Sequence, residues 1–121
     1  MKVLVVEDSP SMRSMLTTII ESESGDLEII EAASGFEALK MLPHHQLDAI
    51  VTDINMPDIN GLELVSFLKN HPTYQSIPVL VVSTEGSNED LKRAESLGVQ
   101  DYLVKPFQPA DLMMKLKRLL G

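Results

Sequence analysis

Asp53 closes the apolar run Asp48-Ala49-Ile50-Val51-Thr52 and precedes Ile54-Asn55-Met56-Pro57. A short, continuous, β-rich apolar stretch bounded by turn residues suits a strand buried in a parallel sheet. Glu7 and Asp8 stand in the same relation to the run Lys2-Val3-Leu4-Val5-Val6, and Lys105 to Asp101-Tyr102-Leu103-Val104. Open α/β sheets place their chemistry at the C-terminal lips of their strands. Clustered carboxylates repel one another, and a cation relieves that repulsion. Mg²⁺ prefers oxygen ligands and typically takes one or two protein carboxylates plus phosphate oxygens. Asp8 and Asp53 fit that role, with Glu7 acting through a water. An Asp carboxylate is also a nucleophile toward phosphorus, giving an aspartyl-phosphate. Lys105 supplies a point charge to a phosphoryl group, and Ser83, closing the run Ile77–Val82, supplies a hydroxyl donor. Each of these residues alone is better explained as a helix cap or a solvated surface charge. Their joint placement at strand ends favours a metal-and-phosphate site.

The elements that must position them alternate to the end of the chain. The pattern predicts strands at 2–6, 27–31, 48–52, 77–83 and 100–104, and helices at 10–22, 34–42, 61–69, 88–96 and 109–120. Five βα repeats imply a parallel sheet with helices on both faces. Right-handed crossovers leave few strand orders. Helix signals punctuate the walk. Ser9 or Ser11 suits the first cap, with Pro10 in the opening turn. Ser34 and Glu37 have capping-box spacing. Ser87 or Asn88 caps the fourth helix, where Glu89 and Asp90 favour the positive end. Gly98 suits a left-handed C-terminal stop. Leu112, Leu116, Leu119 and Leu120 form the apolar stripe of the last helix.

The bulk properties narrow the classes. A length of 121 residues fits one domain, here residues 1–121, with no output domain expected. A hydrophobic share of 44% supports a real core. No apolar stretch approaches the roughly 18 residues of a membrane span, and the N-terminus lacks the features of a signal peptide. No cysteine is present, which removes disulfides and thiolate zinc sites and fits a cytoplasmic setting. Ten basic against eighteen acidic residues give a net charge of −8, unfavourable for a module that binds nucleic acid by neutralising phosphates. No glycine-rich phosphate loop occurs, and Gly61 after Asn60 reads as a turn. His44, His45 and His71 lack the spacing of a metal site and read as exposed loop residues. The seven methionines read as core filler.

Five motifs together resemble the receiver domain of bacterial two-component response regulators, of the stand-alone chemotaxis type. They are Val5-Val6-Glu7-Asp8-Ser9, Met12-Arg13, Asp53-Ile54-Asn55-Met56-Pro57 with Gly61, Val82-Ser83-Thr84, and Tyr102-Leu103-Val104-Lys105-Pro106-Phe107. The resemblance runs end to end, and it is this likeness that implies the strand order 2-1-3-4-5 of a flavodoxin-like fold. It further implies Asp53 as phosphoacceptor, and Glu7, Asp8 and the Asn55 backbone carbonyl as holders of Mg²⁺. Lys105 becomes the phosphate-binding lysine, aimed by a cis Lys105-Pro106 bond. Ser83 becomes the switch hydroxyl and Tyr102 the aromatic that changes rotamer with it. Asn55 and Glu85 would flank the path of the water that hydrolyses the aspartyl-phosphate. The implied partners are a histidine kinase or phosphotransfer protein and a downstream target. The target would be met through the fourth helix, fifth strand and fifth helix, with Lys92, Tyr102 and Lys115. Such a domain catalyses only its own phosphorylation and dephosphorylation. Two positions depart from the commonest pattern. Ser83 stands where Thr is frequent, and Thr84 where Ala or Gly is usual, which would narrow the mouth of the site toward small phosphodonors.

Three rival readings share parts of this pattern. A phosphorelay intermediate would use the same residues. An Mg²⁺-dependent Asp-nucleophile phosphatase usually needs a second acid two residues after the nucleophile, where this chain has Asn55. A flavin-binding module on the same fold would find its phosphate repelled by the acidic strand ends.

Overall fold

A computed structural model describes residues 1–23, 25–84 and 88–121, with Thr84 given by its backbone alone. Its strands are β1 (Lys2–Val6), β2 (Glu28–Ala32), β3 (Ala49–Asp53), β4 (Val79–Thr84) and β5 (Asp101–Lys105). All neighbouring pairs are parallel, in the order β2-β1-β3-β4-β5. The helices are α1 (Pro10–Glu23), α2 (Gly35–Met41), α3 (Gly61–Lys69), α4 (Asn88–Ser96) and α5 (Pro109–Leu120). No described helix is long and apolar enough to cross a membrane.

Side chains alternate across a strand, so β1 to β4 each feed two cores, whereas β5 gives Leu103 to one of them. Leu4, Val6, Ile50, Val79 and Val81 pack with α2, α3 and α4 on one face. Val3, Val5, Val51, Leu80 and Val82 pack with Leu16 and Ile20 of α1 and with Leu112, Met113 and Leu116 of α5 on the other. β3 is buried at all five positions because helices cover both faces of this central strand. That is why its sequence is an unbroken apolar run rather than an alternating one. Each such Val, Leu or Ile contributes about 1.5–3 kcal/mol through burial. Truncating one, as in Leu80→Ala, costs about 2–5 kcal/mol through lost transfer energy and a residual cavity.

Several expected boundaries shift. The second, third and fifth strands each run one residue later at both ends than their apolar runs indicate, and the fourth runs 79–84 rather than 77–83. Asp53 and Lys105 are therefore the last residues of β3 and β5, held by strand pairing rather than lying in the loops beyond. Asp53 pairs with Val82, and Ser83 with Val104. The second helix spans 35–41 rather than 34–42, because Ser34 is its cap, accepting a hydrogen bond from Glu37 N–H at 3.1 Å. The helix 34–42 of the pattern is completed by a short 3-10 turn, Leu42–His44, forced where Pro43 lacks an N–H. A full reciprocal capping box occurs instead at Asn60 and Glu63, so Gly61 begins α3 rather than forming a free turn. Gly98 adopts φ +91°, the left-handed stop expected of it. The alternative cap Ser87 lies outside the described residues.

Candidate functional site

β1 and β3 are neighbours whose following helices pack on opposite faces of the sheet, which opens a crevice at their C-terminal ends. Glu7 follows β1 directly. Its N–H donates to the Ala32 carbonyl at 3.0 Å, its carbonyl accepts from Arg13 Nη1 at 2.8 Å, and its Oε2 accepts from Ser9 N–H at 3.2 Å. Arg13 Nε also meets Glu31 Oε1 at 3.4 Å, so one turn of α1 clamps the β1 end. Asp53 Oδ1 accepts from the Ile54 N–H at 2.8 Å, and Thr52 Oγ1 donates to the Asp53 carbonyl at 3.0 Å. These bonds aim the Asp53 carboxylate along the strand and into the crevice.

One carboxylate oxygen from each of Glu7, Asp8 and Asp53 lies within 4.8 Å of the others. Glu7 and Asp53 are buried and Asp8 is exposed, so the cluster has a wall and a mouth. Lys105 Nζ reaches Glu7 Oε1 at 3.3 Å and Asp53 Oδ2 at 3.6 Å. The Lys105-Pro106 bond is cis, as the resemblance implies. Burial raises the Glu7 pKa, and the Asp53 charge adds to the rise. The Ser9 N–H and the Lys105 ammonium oppose it. One lysine facing three acids leaves an excess of negative charge, the condition that a divalent cation relieves. The three carboxylate oxygens gather closely enough for one small cation to be shared among them. The residues present therefore fit a hard, oxygen-ligated cation.

Ser83 follows Val82 at the same lip. It is 1% exposed, and among the described residues its Oγ finds no hydrogen-bond partner. Tyr102, near the start of β5, is 41% exposed, with its ring turned outward. Lys115 Nζ lies 5.6 Å from the centre of that ring. Lys92 is exposed and Lys115 half-buried, so with Tyr102 they share the α4–β5–α5 face. Asn55 is exposed two residues beyond Asp53. Glu85 and the side chain of Thr84 lie outside the described residues.

Some residues bear on the site in ways the sequence reading did not give. Gly61 packs on the Asp53 backbone, and Arg13 clamps Glu7. Asp58, in the loop after β3, accepts from Gly35 N–H at 3.3 Å and Phe36 N–H at 3.0 Å, which ties that loop to the start of α2. The spacing Asn60-Gly61-Glu63 carried the signal for the first, as a cap followed by helix rather than a turn. The histidines do not gather. His71 accepts from Thr73 N–H at 3.1 Å and stacks on Tyr74 at 4.4 Å. His45 and His71 are half-buried rather than exposed, and the Nδ1 of His45 is buried.

A doubly wound parallel sheet with this acidic lip and its facing lysine has the chemistry of a cation- and phosphate-binding site. The chain matches the response regulator receiver domain over residues 3–117, and it belongs to that family. It is 38% identical to a chemotaxis protein CheY homolog of Campylobacter jejuni, covering 100% of this chain and 93% of that protein. It is also 38% identical to chemotaxis protein CheY1 of Helicobacter pylori, covering 100% of this chain and 98% of that one. Among solved structures it is similar to the chemotaxis response regulator CheY4 of Vibrio cholerae. There the identity is 36%, the coverage 98% of both chains and the TM-score 0.88.

Proposed function

We propose that the chain is a receiver that accepts a phosphoryl group on Asp53 from the phosphohistidine of a histidine kinase or phosphotransfer protein. It then signals through phosphorylation-dependent contact with a target protein, in a chemotaxis-like pathway of the cytoplasm. The observation that carries this reading is the convergence of Glu7, Asp8, Asp53 and Lys105 on one crevice. Similarity over the whole chain to relatives named as chemotaxis proteins supports the chemotaxis part.

In the transfer, an Asp53 carboxylate oxygen attacks phosphorus. A P–O bond forms, the P–N bond to the donor imidazole breaks, and the imidazole leaves with the electron pair. Such a transfer depends on in-line positioning and charge neutralisation more than on covalent help. Asp53 is positioned by its bond from Ile54 N–H and by the strand beneath it. Lys105 is aimed to meet the developing phosphoryl charge. Mg²⁺, when held by Glu7, Asp8, Asp53 and the Asn55 carbonyl, supplies further charge neutralisation to the phosphoryl oxygens. Ser83 then donates its hydroxyl to a phosphoryl oxygen, and Tyr102 turns inward beside it. A hydrogen bond made in only one state is the differential contact a population shift requires. The target reads the altered α4–β5–α5 face. Asn55 and Glu85 admit the water that returns Asp53 to its free form.

The test is a pulldown from lysate with the full chain as bait, loaded with Mg²⁺ and beryllium fluoride as an acyl-phosphate mimic, against untreated chain. The reading predicts a target retained by the loaded chain and lost when Tyr102→Ala is introduced. Identical retention by loaded and untreated chain would contradict it.

A further inference from the structure

Asp101, Tyr102 and Lys115 form a closed loop of contacts. Asp101 Oδ1 accepts from the Tyr102 backbone N–H at 2.8 Å and from Lys115 Nζ at 3.1 Å. The same Lys115 Nζ sits 5.6 Å from the centre of the Tyr102 ring, within cation–π range. The Lys115 and Asp101 side chains are only 23% and 24% exposed, so the pair is better shielded than an ordinary surface ion pair. The backbone fixes Asp101, Asp101 fixes the ammonium, and the ammonium favours a ring that lies outward beneath it.

We infer that Asp101 and Lys115 form a latch that holds Tyr102 outward and sets how readily it turns inward when Asp53 is phosphorylated. The inference rests on the reading that Tyr102 changes orientation on activation. Turning inward takes the ring out of reach of Lys115 and forfeits the cation–π contact, whereas the Asp101–Lys115 ion pair survives in either state. The latch thus opposes spontaneous activation without blocking it. Asp101 and Lys115 are positioning residues that touch neither the phosphoryl group nor its ligands.

The test uses the full chain labelled with fluorotyrosine, read by fluorine NMR with and without Mg²⁺ and beryllium fluoride. Its two tyrosines, Tyr74 and Tyr102, are assigned by Tyr74→Phe. Tyr74, stacked on His71, reports that each variant is folded. In the wild-type chain the Tyr102 resonance should move on loading. In unloaded Asp101→Asn and Lys115→Met it should already lie part of the way toward the loaded position. The inward-to-outward ratio should rise roughly two- to fivefold, the range of partly exposed cation–π and ion-pair contacts. Lys115→Arg, which keeps the cation, should restore the wild-type position. A wild-type resonance that ignores loading would overturn the underlying reading, and the latch with it. A wild-type resonance that moves, with both variants starting at the wild-type position, would overturn the latch alone.

Discussion

Gly61 lies against the backbone of Asp53. A Cβ at position 61 would collide with the Asp53 carbonyl oxygen and come within 2.9 Å of its carbonyl carbon and of Ile54 Cα. Gly61 N–H also donates to the Ile54 carbonyl at 2.8 Å, so the start of α3 is sewn to the end of β3. Neither side yields cheaply, because both contacts are main chain and β3 is central in the sheet. In an exposed helix interior, Gly→Ala stabilises by about 1 kcal/mol. Here Gly61→Ala should instead destabilise by about 1–3 kcal/mol, as overpacking does. It should also slow phosphorylation by displacing Asp53. Urea unfolding and a phosphorylation time course check both, and an alanine variant as stable and as fast as wild type would contradict the packing argument.

The acid cluster predicts a metal response. A ligand bound only by the folded state adds stability by mass action. The thermal midpoint of the wild-type chain should rise with millimolar Mg²⁺, and that of Asp8→Ala should rise much less. Equal rises in the two would place the ion elsewhere.

Asp58 predicts a pH dependence. The Phe36 N–H, with further help from the Ile59 and Gly35 N–H groups, holds its pKa below the ordinary value of 3.8. A depressed carboxylate pKa gives stability that is present above the ordinary value and lost as pH falls through the lowered one. Asp58→Asn should therefore be less stable than wild type at neutral pH, with the gap closing in acid below pH 3.8. Urea midpoints of both chains against pH measure this. A gap that stays constant with pH would show that the charge of Asp58 does not matter.

Ser83 predicts a separation of chemistry from signalling. Its buried hydroxyl has no partner among the described residues, so removing it relieves an unsatisfied polar group. Ser83→Ala should be at least as stable as wild type and should still be phosphorylated on Asp53. It should bind the target more weakly once phosphorylated. Target affinity equal to that of phosphorylated wild type would end the role of the hydroxyl.

The sheet and the convergence of Glu7, Asp8, Asp53 and Lys105 were legible because their signals are local. β1 and β3 are apolar runs, and each carries its acid at the end that the crossover rule brings to the crevice. The motifs around Asp53 and Lys105 supplied the strand order, and the roles proposed above rest on the same motifs. Strand ends were less legible, since pairing through Asp53–Val82 and Thr84–Lys105 extends strands past the point where hydrophobicity stops. The Gly61–Asp53 contact could not be seen from a turn-like Asn60-Gly61, because only packing shows what lies beneath a glycine. The Asp101–Lys115 pair joins residues 14 apart across a strand-to-helix turn, a distance that no local pattern encodes.

Transfer from a labelled donor tests most directly whether Asp53 receives the phosphoryl group. A kinase domain carrying a labelled phosphohistidine should be mixed with the chain in Mg²⁺, and the product digested and mapped by mass spectrometry. One phosphoryl group per chain is expected, on the peptide that contains Asp53, and none on Asp53→Asn. A label on any other residue of the wild-type chain, or equal labelling of Asp53→Asn, would contradict it.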